Sequence, residues 1–149
     1  MNKSSSNDFI ATTQKWFNNA PALPPNAKEV LVNITPWVAL IFGIIGILGS
    51  IAGLGILTAL SPFAVMGGVS SYGTGLIAAL IWLVSSILLL AAYPGTKARK
   101  LSGWNLLYWS RLVNFLGSIL TLSIGSIFWG LIGLIISFYL LFQIKSYYK

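Results

Sequence analysis

The sequence predicts an all-α fold: a membrane-embedded four-helix bundle with an N-terminal amphipathic interfacial helix. Three observations predict it. Of 149 residues, 56% are hydrophobic and 7% charged, whereas a soluble domain carries about a quarter charged residues. Four largely apolar runs of about 18 residues or more are each long enough for a membrane helix. The basic residues, with one exception, fall between or outside those runs.

The N-terminal segment, residues 1–33, is expected to stay out of the bilayer. Its first eight residues are polar. Phe9, Ile10, Thr13, Trp16 and Phe17 then recur at helical spacing, with Asp8 placed as a cap and Lys15 on another face. That pattern predicts an amphipathic helix over about 8–19, lying on the membrane surface. Pro21, Pro24 and Pro25 interrupt regular helix. Asn26 with Glu29 three residues later predicts a short helix over about 26–32. The polar, proline-broken start has no secretory-signal pattern.

Residues 34–149 form the predicted transmembrane domain. The first span covers about 36–60, with Pro36 in its first turn, where a missing N–H costs little. At 1.5 Å per residue it is about 36 Å long, enough for a hydrocarbon core of about 30 Å. Ser61 and Pro62 end it, and residues 61–74 make an apolar, glycine-rich connection, either an interfacial cap or a re-entrant turn. The second span covers about 75–92 and stops at Tyr93, Pro94 and Gly95. After the charged turn at Lys97, Arg99 and Lys100 comes the third span, about 105–122. A tight turn at 123–126 leads to the fourth, about 127–144.

Four crossings put both ends and the middle turn on one side. Lys3, Lys15, Lys28, Lys97, Arg99, Lys100, Lys145 and Lys149 all fall there, and the loops 61–74 and 123–126 have no lysine or arginine. The positive-inside rule makes the basic side cytoplasmic, so the chain is expected in the plasma (inner) membrane with N- and C-termini cytoplasmic. Trp37, Tyr93, Trp104, Tyr108 and Trp109 would form the inner aromatic belt, and Tyr72 and Trp129 the outer one.

Close packing and interhelical hydrogen bonds drive membrane helices together, because lipid is as apolar as leucine. Small residues at steps of four and three mark the expected seams. They are Ala39, Gly43, Gly46, Ser50 and Gly53 in the first span, Ser110, Asn114, Gly117 and Thr121 in the third, and Ser126, Gly130, Gly133 and Ser137 in the fourth. Each stripe faces either a neighbour in the same bundle or another subunit.

Composition removes most chemistry. The chain has no cysteine and no histidine, and its two carboxylates, Asp8 and Glu29, lie outside the spans. No cofactor, metal site or catalytic residue is therefore expected, and the chain is not expected to be an enzyme. A proton-coupled carrier needs a titratable membrane group, which the spans lack. The net charge of +7 comes from residues flanking the spans, so nucleic acid is not an expected partner.

Arg111 is the one charge inside a span, about 8 Å from its start at 1.5 Å per residue. With Ser110, Asn114 and Ser118 near it on the helix, it is the candidate site for an anion or a lipid headgroup. The alternative is a snorkelling arginine with its stem along the helix. Trp82 and Tyr139 fall deep in their spans, where they line a cavity or pack as core.

The run Leu101-Ser-Gly-Trp-Asn-Leu-Leu-Tyr-Trp-Ser110 and the ending Tyr139-Leu-Leu-Phe-Gln-Ile-Lys-Ser-Tyr-Tyr148 resemble a family of small, uncharacterised bacterial four-helix integral membrane proteins. The resemblance implies the topology and no particular activity. A chromate-transporter label carried by some such proteins finds no supporting motif in this chain. The expected role is a scaffold or subunit of a membrane assembly, partnered by the lipid bilayer and by copies of itself or a larger membrane protein. The alternative is a small anion-permeable channel or transporter working around Arg111.

Overall fold

Helices form along all the apolar runs, but they continue past the ends that proline and glycine suggest. The computed structural model describes residues 3–63, 69–121 and 123–149. Its elements are α1 (Lys3–Phe17), α2 (Pro25–Ala59), α3 (Val69–Lys97), α4 (Leu101–Leu120) and α5 (Ile124–Ile144), followed by a 3₁₀ turn (Lys145–Tyr147). No strand occurs among the described residues.

The short helix expected at 26–32 and the first span are one helix of 35 residues, about 52 Å long. Pro25 starts it, where its fixed φ favours the first turn. Pro36 therefore lies inside the helix and not in its first turn. Pro36 is buried between Val32 and Ala39 on the packed face, and the helix runs on through it although proline removes one N–H.

Pro94 likewise does not stop α3, which reaches Lys97. The helix ends where the backbone turns left-handed: Arg99 has φ 51°, its N–H donates to Thr96 O at 3.0 Å, and the Lys100 N–H donates to Gly95 O at 2.8 Å. That pair of bonds is a Schellman cap built on a left-handed arginine.

Two further boundaries shift. Ile124, Gly125 and Ser126 belong to α5, which starts directly after its N-cap Ser123 and not at about 127. The second half of the 61–74 connection is helical from Val69, and its possible re-entrant turn falls on residues 64–68, outside the described residues.

α2 packs along α3 and α3 along α4, α4 meets α5 over a shorter stretch, and α2 barely touches α5. The helices thus make a curled row with a seam between its first and last members. Small residues set the spacing. A Cβ on Gly43 would lie 2.9 Å from Leu90 N, one on Gly46 would collide with Ser86, and one on Gly117 would lie 2.7 Å from Ile81. Gly95 and Gly103, which the stripes did not include, hold α3 against α4 backbone to backbone.

Among the described residues, three helical stretches are long and apolar enough to cross a membrane, namely Pro25–Ala59, Tyr72–Lys97 and Ile124–Tyr147. Packed together, they are consistent with a membrane protein. The 20 residues of α4 do not reach the same apolarity, because Asn105, Arg111 and Asn114 interrupt them.

The large side chains of the core gather where α1 meets α4 and α5. Trp104 and Tyr108 are fully buried there and do not form part of an exposed belt. Tyr108 stacks on Phe138 with centroids 4.7 Å apart, and Trp104 Nε1 donates to Leu141 O at 2.8 Å. α1 turns Ile10 and Thr13 into this cluster and sets Phe17 against Phe142. Its apolar face is thus spent largely on protein, while Trp16 stays exposed.

Candidate functional site

One end of the helix row brings together Lys97, Arg99, Lys145 and Lys149. Lys97 Nζ lies 5.7 Å from the Trp37 ring and 5.6 Å from the Tyr93 ring. Arg99 Nη2 donates to Asn33 Oδ1 at 3.1 Å. Lys145 Nζ donates to Gln14 Oε1 at 2.6 Å and sits 5.2 Å from the Trp104 ring. The last residue closes the end: Lys149 N–H donates to Arg99 O at 3.0 Å, and the Leu101 N–H donates to Lys149 O at 2.9 Å. The N-terminal helix, the α3–α4 turn and the end of α5 are thus tied together.

Tyr148 is buried within this end. Among the described residues its hydroxyl has no hydrogen-bond partner of normal geometry; the Thr35 hydroxyl, which gives its own proton to Leu31 O at 2.6 Å, is the nearby group able to accept from it. Burial pushes the phenol above its ordinary value, and Thr35 and the Arg99 charge oppose the rise only in part.

The linker between α1 and α2 lies against α5. Tyr139 Oη donates to Pro21 O at 2.7 Å, Gln143 Nε2 donates to the same oxygen at 3.1 Å, and Leu23 N–H donates to Gln143 Oε1 at 3.2 Å. Tyr139 is therefore neither a cavity residue nor apolar core. Tyr139 and Gln143 share one face at i, i+4, and that spacing was the available signal for a polar strap.

The four residues predicted as one site divide. Ser110 is fully buried and faces α3, where its hydroxyl donates to Ser85 O at 2.9 Å and Ser85 Oγ donates to Ser110 O at 3.1 Å. It is an interhelical clamp with nothing left for a ligand. Ser118 donates to Phe115 O at 2.7 Å, lies under Gly130 of α5 and borders, with Asn114, a cavity away from Arg111. Arg111 and Asn114 remain, and both border one cavity beside Trp82 and Ser86.

Arg111 also borders a groove at the α2–α5 seam, with Leu31, Val38, Leu107, Leu140 and Ile144 among its walls. Ser137, predicted as a packing residue, stands in this groove rather than against a helix. The guanidinium is half-buried and has no hydrogen-bond or ion-pair partner among the described residues. A third cavity continues past Asn114 and Trp82 toward Thr121 and Ser126. Arg111 joins the first two spaces and Asn114 the second and third, so the cavities follow one another along the helix row.

The remaining packing glycines separate in the same way. Gly43, Gly46, Gly117 and Gly130 are in contact with a neighbouring helix, whereas Gly53 and Gly133 have open space above them. Ser50 is buried and donates to Gly46 O at 2.7 Å. Thr121 donates to Ser118 O at 2.7 Å. Compared with protein-family models, curated proteins and solved structures, the chain matches none.

Proposed function

We propose that the chain is a four-crossing integral membrane protein that acts by packing, as a scaffold or subunit of a membrane assembly rather than as an enzyme. The observation that carries this reading is the open row. Gly53 on α2 and Gly133 on α5 have nothing within 4 Å of a built Cβ, although glycine in a membrane helix ordinarily serves close approach by another helix. The two helices that bear them are the ends of the row, where a further helix would dock.

α4 is read as the fourth crossing, supported by its antiparallel packing on α3 from Gly103 to Gly117. The basic end is assigned to the cytoplasm of a plasma (inner) membrane, with both termini on that side. A reporter fused after Lys149 should be active only in the cytoplasm, and activity on the other face would overturn the orientation.

The absence of cysteine makes the packing test clean. Gly53→Cys and Gly133→Cys variants, treated in native membranes with a short bis-maleimide, should each give a discrete higher-mass adduct. Ile136→Cys, on an exposed position of α5, should not. Equal adduct yields at all three positions would sink the reading.

A second reading is anion passage, favoured by the run of cavities joined at Arg111 and Asn114. Liposomes containing the protein would then show chloride or oxyanion flux, lost in a folded Arg111→Leu variant. Flux unchanged by that substitution would remove Arg111 from any pathway.

A further inference from the structure

Among the described residues, Arg111 is a cation without a counter-charge. In a low-dielectric setting an unpaired guanidinium is costly, and such residues ordinarily find an anion, a carbonyl or water. The spans of a second copy carry no anion to offer, because the side-chain carboxylates, Asp8 and Glu29, lie outside the apolar runs.

Arg111 also lies near the polar boundary. Ser137 shares the groove with Arg111. Two residues on, Tyr139 holds the carbonyl of Pro21 in the polar linker. Trp37, with Lys97 over its ring, marks the same end of α2. The groove therefore opens sideways close to headgroup level, with apolar walls and one charge.

On the reading of the chain as a membrane-embedded packing protein, we infer that this groove binds an anionic phospholipid of the leaflet on the basic side. Its phosphate oxygens accept from the Arg111 guanidinium, and the first carbons of its chains lie against Val38, Leu107 and Leu140. Phosphate matches the guanidinium as a bidentate acceptor, and the apolar walls favour a lipid over a hydrated free ion. The α2–α5 seam is thus filled by lipid at the basic end and left for protein farther along.

The test uses the full chain in phosphatidylcholine vesicles containing trace spin-labelled phosphatidylglycerol or spin-labelled phosphatidylcholine. The wild type should prefer the anionic label about fivefold, the scale of one cation at a membrane surface. Arg111→Gln should abolish most of that preference and Arg111→Lys should keep part of it. Ser137→Leu, which fills the groove and leaves the charge, should also reduce it. The preference should persist at high salt, where the exposed lysines are screened. An unchanged preference in Arg111→Gln overturns the inference. Displacement of the label by millimolar inorganic phosphate at constant ionic strength would reassign the site to a free anion. Cysteine cross-linking at Gly53 and Gly133 reports on the packing role separately, so either idea can fail alone.

Discussion

Gly95 and Gly103 lie backbone against backbone: a Cβ built on Gly95 would be 2.7 Å from the Gly103 Cα. No larger residue fits at either position without moving α3 from α4. Gly103→Ala should therefore destabilise the protein by about 1–3 kcal/mol, the usual cost of overpacking. Gly53→Ala has open space and should be neutral or stabilising by up to about 1 kcal/mol, as helix propensity dictates. Thermal melts of the two variants in the same detergent check the contrast. Equal melting temperatures would contradict the crossing geometry.

The attachment of α1 rests partly on Thr13 and Tyr108, whose side-chain oxygens are 3.0 Å apart. Thr13 gives its own proton to Phe9 O, so Tyr108 is the donor between the two hydroxyls. Thr13→Val leaves a fully buried hydroxyl without its acceptor, at a cost of about 1–3 kcal/mol. Hydrogen exchange in residues 3–17 should speed up accordingly. Adding Tyr108→Phe should restore most of the protection, because both polar partners are then gone.

Tyr148 gives the basic end a pH dependence. Its folded-state pKa lies above the ordinary 10.0 because burial favours the neutral phenol. The stabilisation it brings is complete below about pH 10 and is lost as pH rises through the raised folded value. A melting curve series from pH 8 to 11 should show a steeper fall in the wild type than in Tyr148→Phe. At pH 7 the variant should be as stable as the wild type or more so, since it removes an unpaired hydroxyl. Identical pH profiles would mean that the phenol is not held neutral.

Arg99 occupies the left-handed position of the α3 cap at φ 51°, where a Cβ costs about 1–2 kcal/mol. Arg99→Gly relieves that cost and forfeits an exposed bond to Asn33 worth less than about 1 kcal/mol. The melting temperature should hold or rise by a few degrees. Arg99→Val should lower it, and Asn33→Ala should isolate the side-chain contribution. A Gly variant less stable than the Val variant would contradict the cap.

Local chemistry made much of this architecture readable in advance, and nonlocal contacts explain where it was not. The apolar runs announce helices because each covers one long hydrophobic surface. Their ends were harder to place, since Pro36 and Pro94 carry the local signature of a break and tertiary packing carries the helix through both. Gly43, Gly46 and Gly117 could be read as seam residues from spacing, whereas Gly95 and Gly103 stand eight positions apart in a turn-like sequence and reveal their contact only once the hairpin closes.

The candidate site divides along the same line. By itself the sequence determined that the chain is helical and strongly apolar, that its charges cluster in flanking segments, and that Arg111 is the charge interrupting an apolar run. Those properties depend on residue type and on spacing along one helix. Only the tertiary structure decided that Ser110 is consumed by Ser85, that α1 is anchored through Thr13 and Phe17, and that Arg111 looks into an unfilled seam between α2 and α5. The physical reason is rotational. Residues one position apart on a helix point about 100° apart, and which of those directions meets a neighbour depends on helices distant in the chain.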